Sequence, residues 1–144
     1  MIRPLWYLST LLTVFGAACS LFAAQGPEVT DPAVAAQDPD FAVQGEYVGQ
    51  GTLPDGTRSK IGAQVIALGD GQFQVWLLKG GLPGEGWDKS ERLGLQGERQ
   101  GAVVTLKHER GSGQIVDGKL TVAASDGGSG KAELTRVERK SETL

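Results

Sequence analysis

The sequence has 144 residues, 14 of them Lys or Arg and 17 Asp or Glu, so its formal net charge is −3 at pH 7. A single cysteine excludes an intrachain disulfide, and a single histidine excludes a metal site built from several nitrogen or sulfur ligands. The mild acidic excess argues against nucleic acid as a partner, because binding to phosphates requires a basic surface.

The first residues have the pattern of a secretion signal. Arg3 precedes an apolar stretch from Leu5 to Phe15, and small residues follow at 16–20 and again at Ala23 and Ala24. A membrane-spanning helix is the alternative, but it needs roughly 20 apolar residues and this stretch is about half as long. We therefore predict that residues 1–24 are a cleaved signal peptide and that the rest of the chain is extracytoplasmic, either secreted or periplasmic.

Cys19 leaves two possibilities for attachment. The run Gly16-Ala17-Ala18-Cys19 resembles a lipoprotein box, in which the cysteine becomes the lipidated first residue, although Gly16 stands where an aliphatic residue is usual. The other possibility is that Cys19 is removed with the signal. A membrane is therefore expected as a partner only through lipidation of Cys19.

The next segment, residues 25–40, contains three prolines and four carboxylates and predicts a Pro-rich linker without fixed structure. Alternation of Phe41, Val43, Gly45 and Tyr47 then predicts a first strand. The sequence thus predicts one domain over residues 41–139, followed by a short tail at 140–144.

Asp-Gly pairs mark the predicted hairpins, because both central residues of the favoured turn need a positive φ. Asp70-Gly71 predicts a hairpin over Ile61–Leu78, with Phe73, Val75 and Leu77 facing the core. The continuous apolar run from Ile61 to Leu68 predicts a strand covered on both faces. Asp117-Gly118 predicts a second hairpin.

The remaining strands follow the same alternating pattern. Leu93 and Leu95 mark one strand, Ala102, Val104 and Leu106 share a face of the next, and Lys131–Arg139 forms the last. Twenty of the 22 glycines follow residue 40, which suits turns and disfavours helices. The fold class predicted is all-β, an antiparallel meander of seven or eight short strands forming a small sandwich or barrel.

The Gly-rich segment from Gly80 to Asp88 is the first candidate for a functional loop, because it combines Trp87 with two carboxylates, Glu85 and Asp88. Beside it, Trp76 is expected on the polar face of its strand together with Gln74. Two indoles and nearby amide and carboxylate groups could bind a sugar by stacking and hydrogen bonding. Alternatively, Trp76 is a core residue beneath another layer.

Other chemistry has weaker support. Glu85 or Asp88, paired with Glu46 or Asp55, could supply the two carboxylates of a glycoside hydrolase. His108, between Lys107 and Glu109, is expected to be an exposed surface histidine. We predict no catalytic residue, no metal ligand and no cofactor.

Three segments of the chain resemble a known family. Residues 45–49 (Gly-Glu-Tyr-Val-Gly), residues 62–73 and the run Gly-Gly-Leu-Pro-Gly-Glu-Gly-Trp-Asp at 80–88 are similar to the segment that follows the signal in many secreted proteins of the 3-keto-disaccharide hydrolase family. There the segment precedes a catalytic jelly-roll domain. Since no residues of that domain are present in this sequence, the resemblance implies an accessory module without the activity.

Three hypotheses follow for function. The first is an extracytoplasmic accessory β-domain that binds saccharide or docks a carbohydrate-active hydrolase through Trp76, Gln74, Glu85, Trp87 and Asp88. The second is a small secreted hydrolase acting on carbohydrate, and the third is an envelope or structural protein without a ligand.

Overall fold

The computed structural model of the chain describes residues 31–125 and 127–138. The predicted signal peptide, Cys19 and the tail at 140–144 lie outside the described residues.

Eight antiparallel strands form a closed barrel in which every strand pairs with its neighbours in sequence and β1 also pairs with β8. The meander predicted from the sequence is confirmed, and the choice between sandwich and barrel is settled as a barrel. The strands are β1 Gly45–Thr52, β2 Arg58–Gly69, β3 Gln72–Lys79, β4 Leu93–Gln100, β5 Val103–His108, β6 Gly111–Val116, β7 Lys119–Ala124 and β8 Lys131–Val137.

Both Asp-Gly hairpins are confirmed. Asp70 and Gly71 have φ values of 53° and 71°, and Asp117 and Gly118 have values of 49° and 72°. Two consecutive positive φ values are those of the turn whose twist matches the flanking strands. The Asp117-Gly118 turn therefore sets the register of the β6–β7 hairpin, whereas in the β2–β3 hairpin a one-residue shift between Ala67 and Gly69 follows the turn.

The interior of the barrel is filled by alternate residues of each strand, as the pleat requires. Phe73 and Val75 are fully buried there, and Leu77 packs against the same core from its edge. Gly97 pairs with Phe73, and a Cβ at position 97 would lie 3.1 Å from the Phe73 Cβ, so the glycine leaves room for the ring. The buried core comprises Tyr47, Ile61, Ala63, Val65, Phe73, Val75, Leu95, Val104, Leu106, Ile115, Leu120 and Leu134.

The predictions for residues 31–44 were wrong in two respects. Two short helices, α1 Pro32–Ala35 and α2 Pro39–Val43, lie where an unstructured linker and the start of a strand were expected. Asp31 and Asp38 each cap a helix by accepting a backbone N–H, at 2.9 Å, and a proline follows each cap. An Asp-Pro pair favours a helix start because proline has no N–H to leave unpaired.

The sequence predicted that β2 is covered on both faces, and this is wrong for part of its outer face. Gly62 is covered, because a Cβ there would lie 2.6 Å from the Gly81 carbonyl carbon in the β3–β4 loop. Beyond it, however, Ile66 is 46% exposed and Leu68 is 65% exposed. The second layer on β2 is therefore a short loop that ends before these two residues.

Candidate functional site

The meander places alternate connections at opposite ends of the barrel. The β2–β3, β4–β5 and β6–β7 turns lie at one end with helix α2, and we call this the closed end. The β1–β2, β3–β4, β5–β6 and β7–β8 connections lie at the other, which we call the open end.

The closed end is plugged by ion pairs and hydrogen bonds. Asp40, which is 5% exposed, accepts hydrogen bonds from Arg99 Nε at 2.7 Å and from the Gly71 backbone N–H at 2.9 Å. Arg136 donates from Nε and Nη2 to the Gln44 carbonyl oxygen, at 3.1 and 3.0 Å. Helix α2 and the segment after it are thus fixed across this end of the barrel.

Tyr47 adds a third contact at the closed end. Its hydroxyl donates to the Val43 carbonyl oxygen at 2.7 Å. Burial raises the pKa of the Tyr47 phenol above its ordinary value of 10.0, and the charge of Arg136 opposes that rise in pKa. The neutral hydroxyl is therefore the stable form in the fold at neutral pH.

The open end contains a cavity of about 320 Å³ that extends down into the barrel. Its floor and walls are apolar side chains at inward positions, and the mouth of a barrel is a common place for a small-molecule site. Its apolar lining includes Leu53, Ile61, Leu77, Leu93, Leu95 and Val122. Leu95 at the floor is 2% exposed, whereas Leu93 at the lip is 43% exposed.

Two basic residues stand on one side of this mouth. His108 ends β5 at a position whose alternation with Val104 and Leu106 points it inward, and Arg110 is in the turn that follows. The His108 Nδ1 accepts a hydrogen bond from the Arg110 backbone N–H at 3.1 Å. In the neutral imidazole the proton is therefore on Nε2, which is the nitrogen left to donate to another group.

On the β3 side of the mouth, a lysine and a carboxylate form an ion pair. Lys79 Nζ lies 3.9 Å from Asp88 Oδ2, with both side chains about half exposed. The pKa of the Asp88 carboxyl is lowered, first by its hydrogen bonds with Ser90 and also by the charge of Lys79. Hydrogen bonds with Thr57 lower the pKa of Asp55 in the same way, with a smaller contribution from Lys79.

The predicted Gly-rich loop is a compact structure on the outside of the barrel. Leu82 is fully buried, and its carbonyl oxygen accepts hydrogen bonds from the backbone N–H groups of Glu85 and Trp87. Glu85 is exposed, whereas Trp87 is half-buried. The Trp87 indole nitrogen is buried without a hydrogen-bond partner among the described residues. This loop covers Gly62 and does not line the cavity.

Trp76 lies on the outer face of β3 with Gln74, as the alternation predicted. The Arg92 guanidinium lies over the indole at 4.6 Å from the ring centroid, and a Cβ at Gly94 would lie 2.8 Å from the ring. Gln74 Nε2 donates to the carbonyl oxygens of Val75 and Leu95. A sugar stacking on Trp76 would therefore have to displace Arg92.

The candidate carboxylates for hydrolysis do not have the electrostatics of an acid and base pair. Glu46 is the second residue of β1, at the closed end, whereas Asp55 and Asp88 both lie near Lys79 at the open end. A general acid requires a raised pKa, but the carboxyl pKa is lowered at both Asp55 and Asp88. Among the described residues, no three metal-ligating side chains form a group.

Sequence reasoning missed the cavity and misplaced His108. The prediction of an exposed histidine was wrong, since His108 lines the mouth and is half-buried. A signal was available, because continuing the alternation of Val104 and Leu106 by two residues places His108 on the inner face. The cavity itself gave no local signal, since its walls come from strands far apart in the chain.

The comparisons with known proteins do not assign a function. No family model matches the chain, and no curated protein or solved structure is significantly similar to it. In residues 31–125 and 127–138, no helix is long and apolar enough to cross a membrane.

Proposed function

We propose that this protein is a binding domain that takes up a small, largely apolar molecule through the open end of its barrel. The observation that carries the proposal is the contrast between an end plugged by Asp40 and Arg99 and an end with an apolar cavity of about 320 Å³. Apolar walls with a few polar groups at the entrance are typical of small-molecule sites.

The size of the cavity limits the ligand. At roughly 30 Å³ per non-hydrogen atom, a volume close to that of one water in the liquid, it accommodates about ten such atoms. Binding energies per non-hydrogen atom are bounded at roughly 0.3–1.5 kcal/mol, and about 0.4–0.8 kcal/mol for each of ten atoms corresponds to a dissociation constant between about 1 mM and 1 μM. The site is suited to reversible uptake and release.

The signal-like first residues and the resemblance to the segment before 3-keto-disaccharide hydrolase domains extend this proposal. They support an extracytoplasmic accessory role, in which the barrel works beside a carbohydrate-active hydrolase without itself catalysing a reaction. The lowered carboxyl pKa of Asp88 also favours binding over hydrolysis by this loop.

A titration with 1-octanol, a neutral probe with nine non-hydrogen atoms, tests the cavity. We expect saturable shifts of backbone amide NMR signals at Leu77 and Leu93. Ala124→Phe, which introduces a ring on the inner face of β7 near the mouth, should abolish these shifts. Thr121→Phe, on the outer face of the same strand and outside the cavity lining, should retain them.

Either of two results would contradict the proposal. If 1-octanol gives no saturable shifts, or if Thr121→Phe and Ala124→Phe reduce its binding equally, the open end is not an apolar site.

Binding of saccharide to the outer face is a second candidate, favoured by the position of Trp76 on that face with Gln74. The outer site would consist of Trp76, Gln74 and the loop residues Glu85, Trp87 and Asp88. It requires Arg92 to move off the indole, so Arg92→Ala should strengthen sugar binding.

A panel of soluble glycans separates this candidate from uptake at the mouth. Binding lost in both Trp76→Ala and Trp87→Ala but retained in Ala124→Phe would support the outer site. Glycan binding that is unaffected by Trp76→Ala, or absent throughout, would eliminate it.

A further inference from the structure

We infer that the ligand of the open end carries a carboxylate, which is held on the side of the mouth formed by His108 and Arg110. This inference rests on the proposed uptake of an apolar molecule and adds the chemistry of its polar end. The ligand class is a small monocarboxylic acid with an apolar body of about eight carbons.

Arg110 is the first observation behind this inference. Its side chain is exposed in the β5–β6 turn at the lip of the cavity, and it makes no ion pair with any described residue. Guanidinium groups bind carboxylates through paired N–H donors, more strongly than neutral groups do. Within residues 31–125 and 127–138, Arg110 is thus a cation left for an occupant of the mouth.

His108 supplies a donor on the same side. Because its Nδ1 is engaged by the Arg110 backbone N–H at 3.1 Å, the donor that remains is Nε2–H. This hydrogen bond also couples the two residues, because the turn that contains Arg110 fixes the orientation of the His108 imidazole. One carboxylate can accept from both groups, using its two oxygens.

Three other charged residues line the mouth. Lys79 is paired with Asp88 and is close enough to Asp55 to lower the pKa of that carboxyl. Lys131 makes no ion pair with a described residue, but it begins β8 at an outward position, since Ala132 and Leu134 face the core. Glu91 is the carboxylate among the residues lining the mouth. Glu91 should therefore oppose an anionic head, which makes it a second means of testing the inference.

The experiment compares three probes with apolar bodies of similar length, namely octanoate, 1-octanol and octylammonium, by amide chemical shifts at low salt. We expect octanoate to bind about tenfold more tightly than 1-octanol, which is the effect of a charge-assisted hydrogen bond, and octylammonium to bind most weakly. The largest shifts that distinguish octanoate from 1-octanol should be at the amides of Arg110 and Gly111.

Matched variants test whether Arg110 binds the carboxylate of octanoate. Arg110→Gln should weaken octanoate about tenfold and leave 1-octanol unchanged, because it removes the charge and keeps the backbone N–H. Lys107→Gln removes one charge from the outer face of the same strand end and should leave both probes unchanged. Glu91→Gln should strengthen octanoate, by a few fold, through loss of repulsion.

The outcomes separate this inference from the proposal on which it rests. If 1-octanol binds and octanoate binds no more tightly, or if Arg110→Gln and Lys107→Gln weaken octanoate equally, the carboxylate site is overturned while apolar uptake remains. If octylammonium binds most tightly, Glu91 rather than Arg110 selects the head group, and the inference is again overturned. If no probe binds, the proposed function itself fails.

Discussion

At the closed end of the barrel, the carboxylate of Asp40 is buried and binds two donors, whereas at the open end the charged groups of Lys79, Glu91 and Arg110 stand around an apolar cavity. The same meander produces both ends, so the difference lies in what covers them. Helix α2 covers the closed end, and among the described residues no corresponding element covers the other. An eight-stranded barrel can fill its interior with side chains, and here the filling stops short of the open end.

The contribution of a residue to the stability of the fold should also differ between the two ends. Groups at the closed end and in the core are ordered by many internal partners, so their loss should destabilise the fold. Groups at the lip of the cavity have solvent on one side, so their loss should change binding more than stability. Unfolding of paired variants from the two regions measures this difference in their contribution to the free energy of unfolding.

The largest effect is expected from truncating Leu95. Leu95 and Leu93 are inward residues of the same strand, but Leu95 is 2% exposed at the floor of the cavity and Leu93 is 43% exposed at its lip. Leu95→Ala should cost about 3 kcal/mol in urea unfolding, and Leu93→Ala less than about 1 kcal/mol, because Leu95 is buried whereas Leu93 is partly in solvent. Equal losses at the two positions would show that the lip is packed as tightly as the floor.

The next effect concerns the plug. Asp40→Ala removes the carboxylate from Arg99, whose side chain is 26% exposed, and leaves the Gly71 N–H without its acceptor. We expect a loss of about 2 kcal/mol, below the range for a fully buried pair because Arg99 is partly in solvent. Urea unfolding of the purified variant measures this loss.

Asp55→Ala is the matched change at the open end, since Asp55 also accepts a backbone N–H, from Thr57 at 2.8 Å. Asp55 is exposed, so its removal should have a clearly smaller effect on the free energy of unfolding than Asp40→Ala. The comparison of the two ends would be wrong if Asp55→Ala were the more destabilising variant.

Features set by neighbouring residues could be predicted from the sequence. The Asp70-Gly71 and Asp117-Gly118 turns depend on two adjacent residues with positive φ, and the alternation of Phe73, Val75 and Leu77 assigns their faces. The helices were missed although Asp31-Pro32 and Asp38-Pro39 are helix-start signals. The prolines and carboxylates of residues 25–40 favoured a linker over α1, and the alternation that begins at Phe41 favoured a strand over α2.

Features set by distant residues could not be predicted. Closure of the barrel pairs Glu46 with Val137, and the plug joins Asp40 to Arg99, which is 59 residues away. Neither partner carries a local pattern that identifies the other. The cavity has the same origin, since residues from several strands surround it, and only His108 gave a hint through its strand alternation.

The Tyr47 hydroxyl should contribute less to stability than Leu95 or Asp40, and its contribution should depend on pH. Tyr47→Phe should cost about 1 kcal/mol at neutral pH, because the Val43 carbonyl loses its donor. Burial raises the pKa of the folded phenol above 10.0, so the protonated form stabilises the fold. That contribution is fully present below pH 10 and is lost as pH rises through the raised pKa of the folded state. Urea unfolding of wild type and Tyr47→Phe from neutral pH to about pH 11 tests this, because the difference in stability between them should shrink above pH 10. A constant difference would show that the phenol at the closed end ionises as freely in the fold as in the unfolded chain.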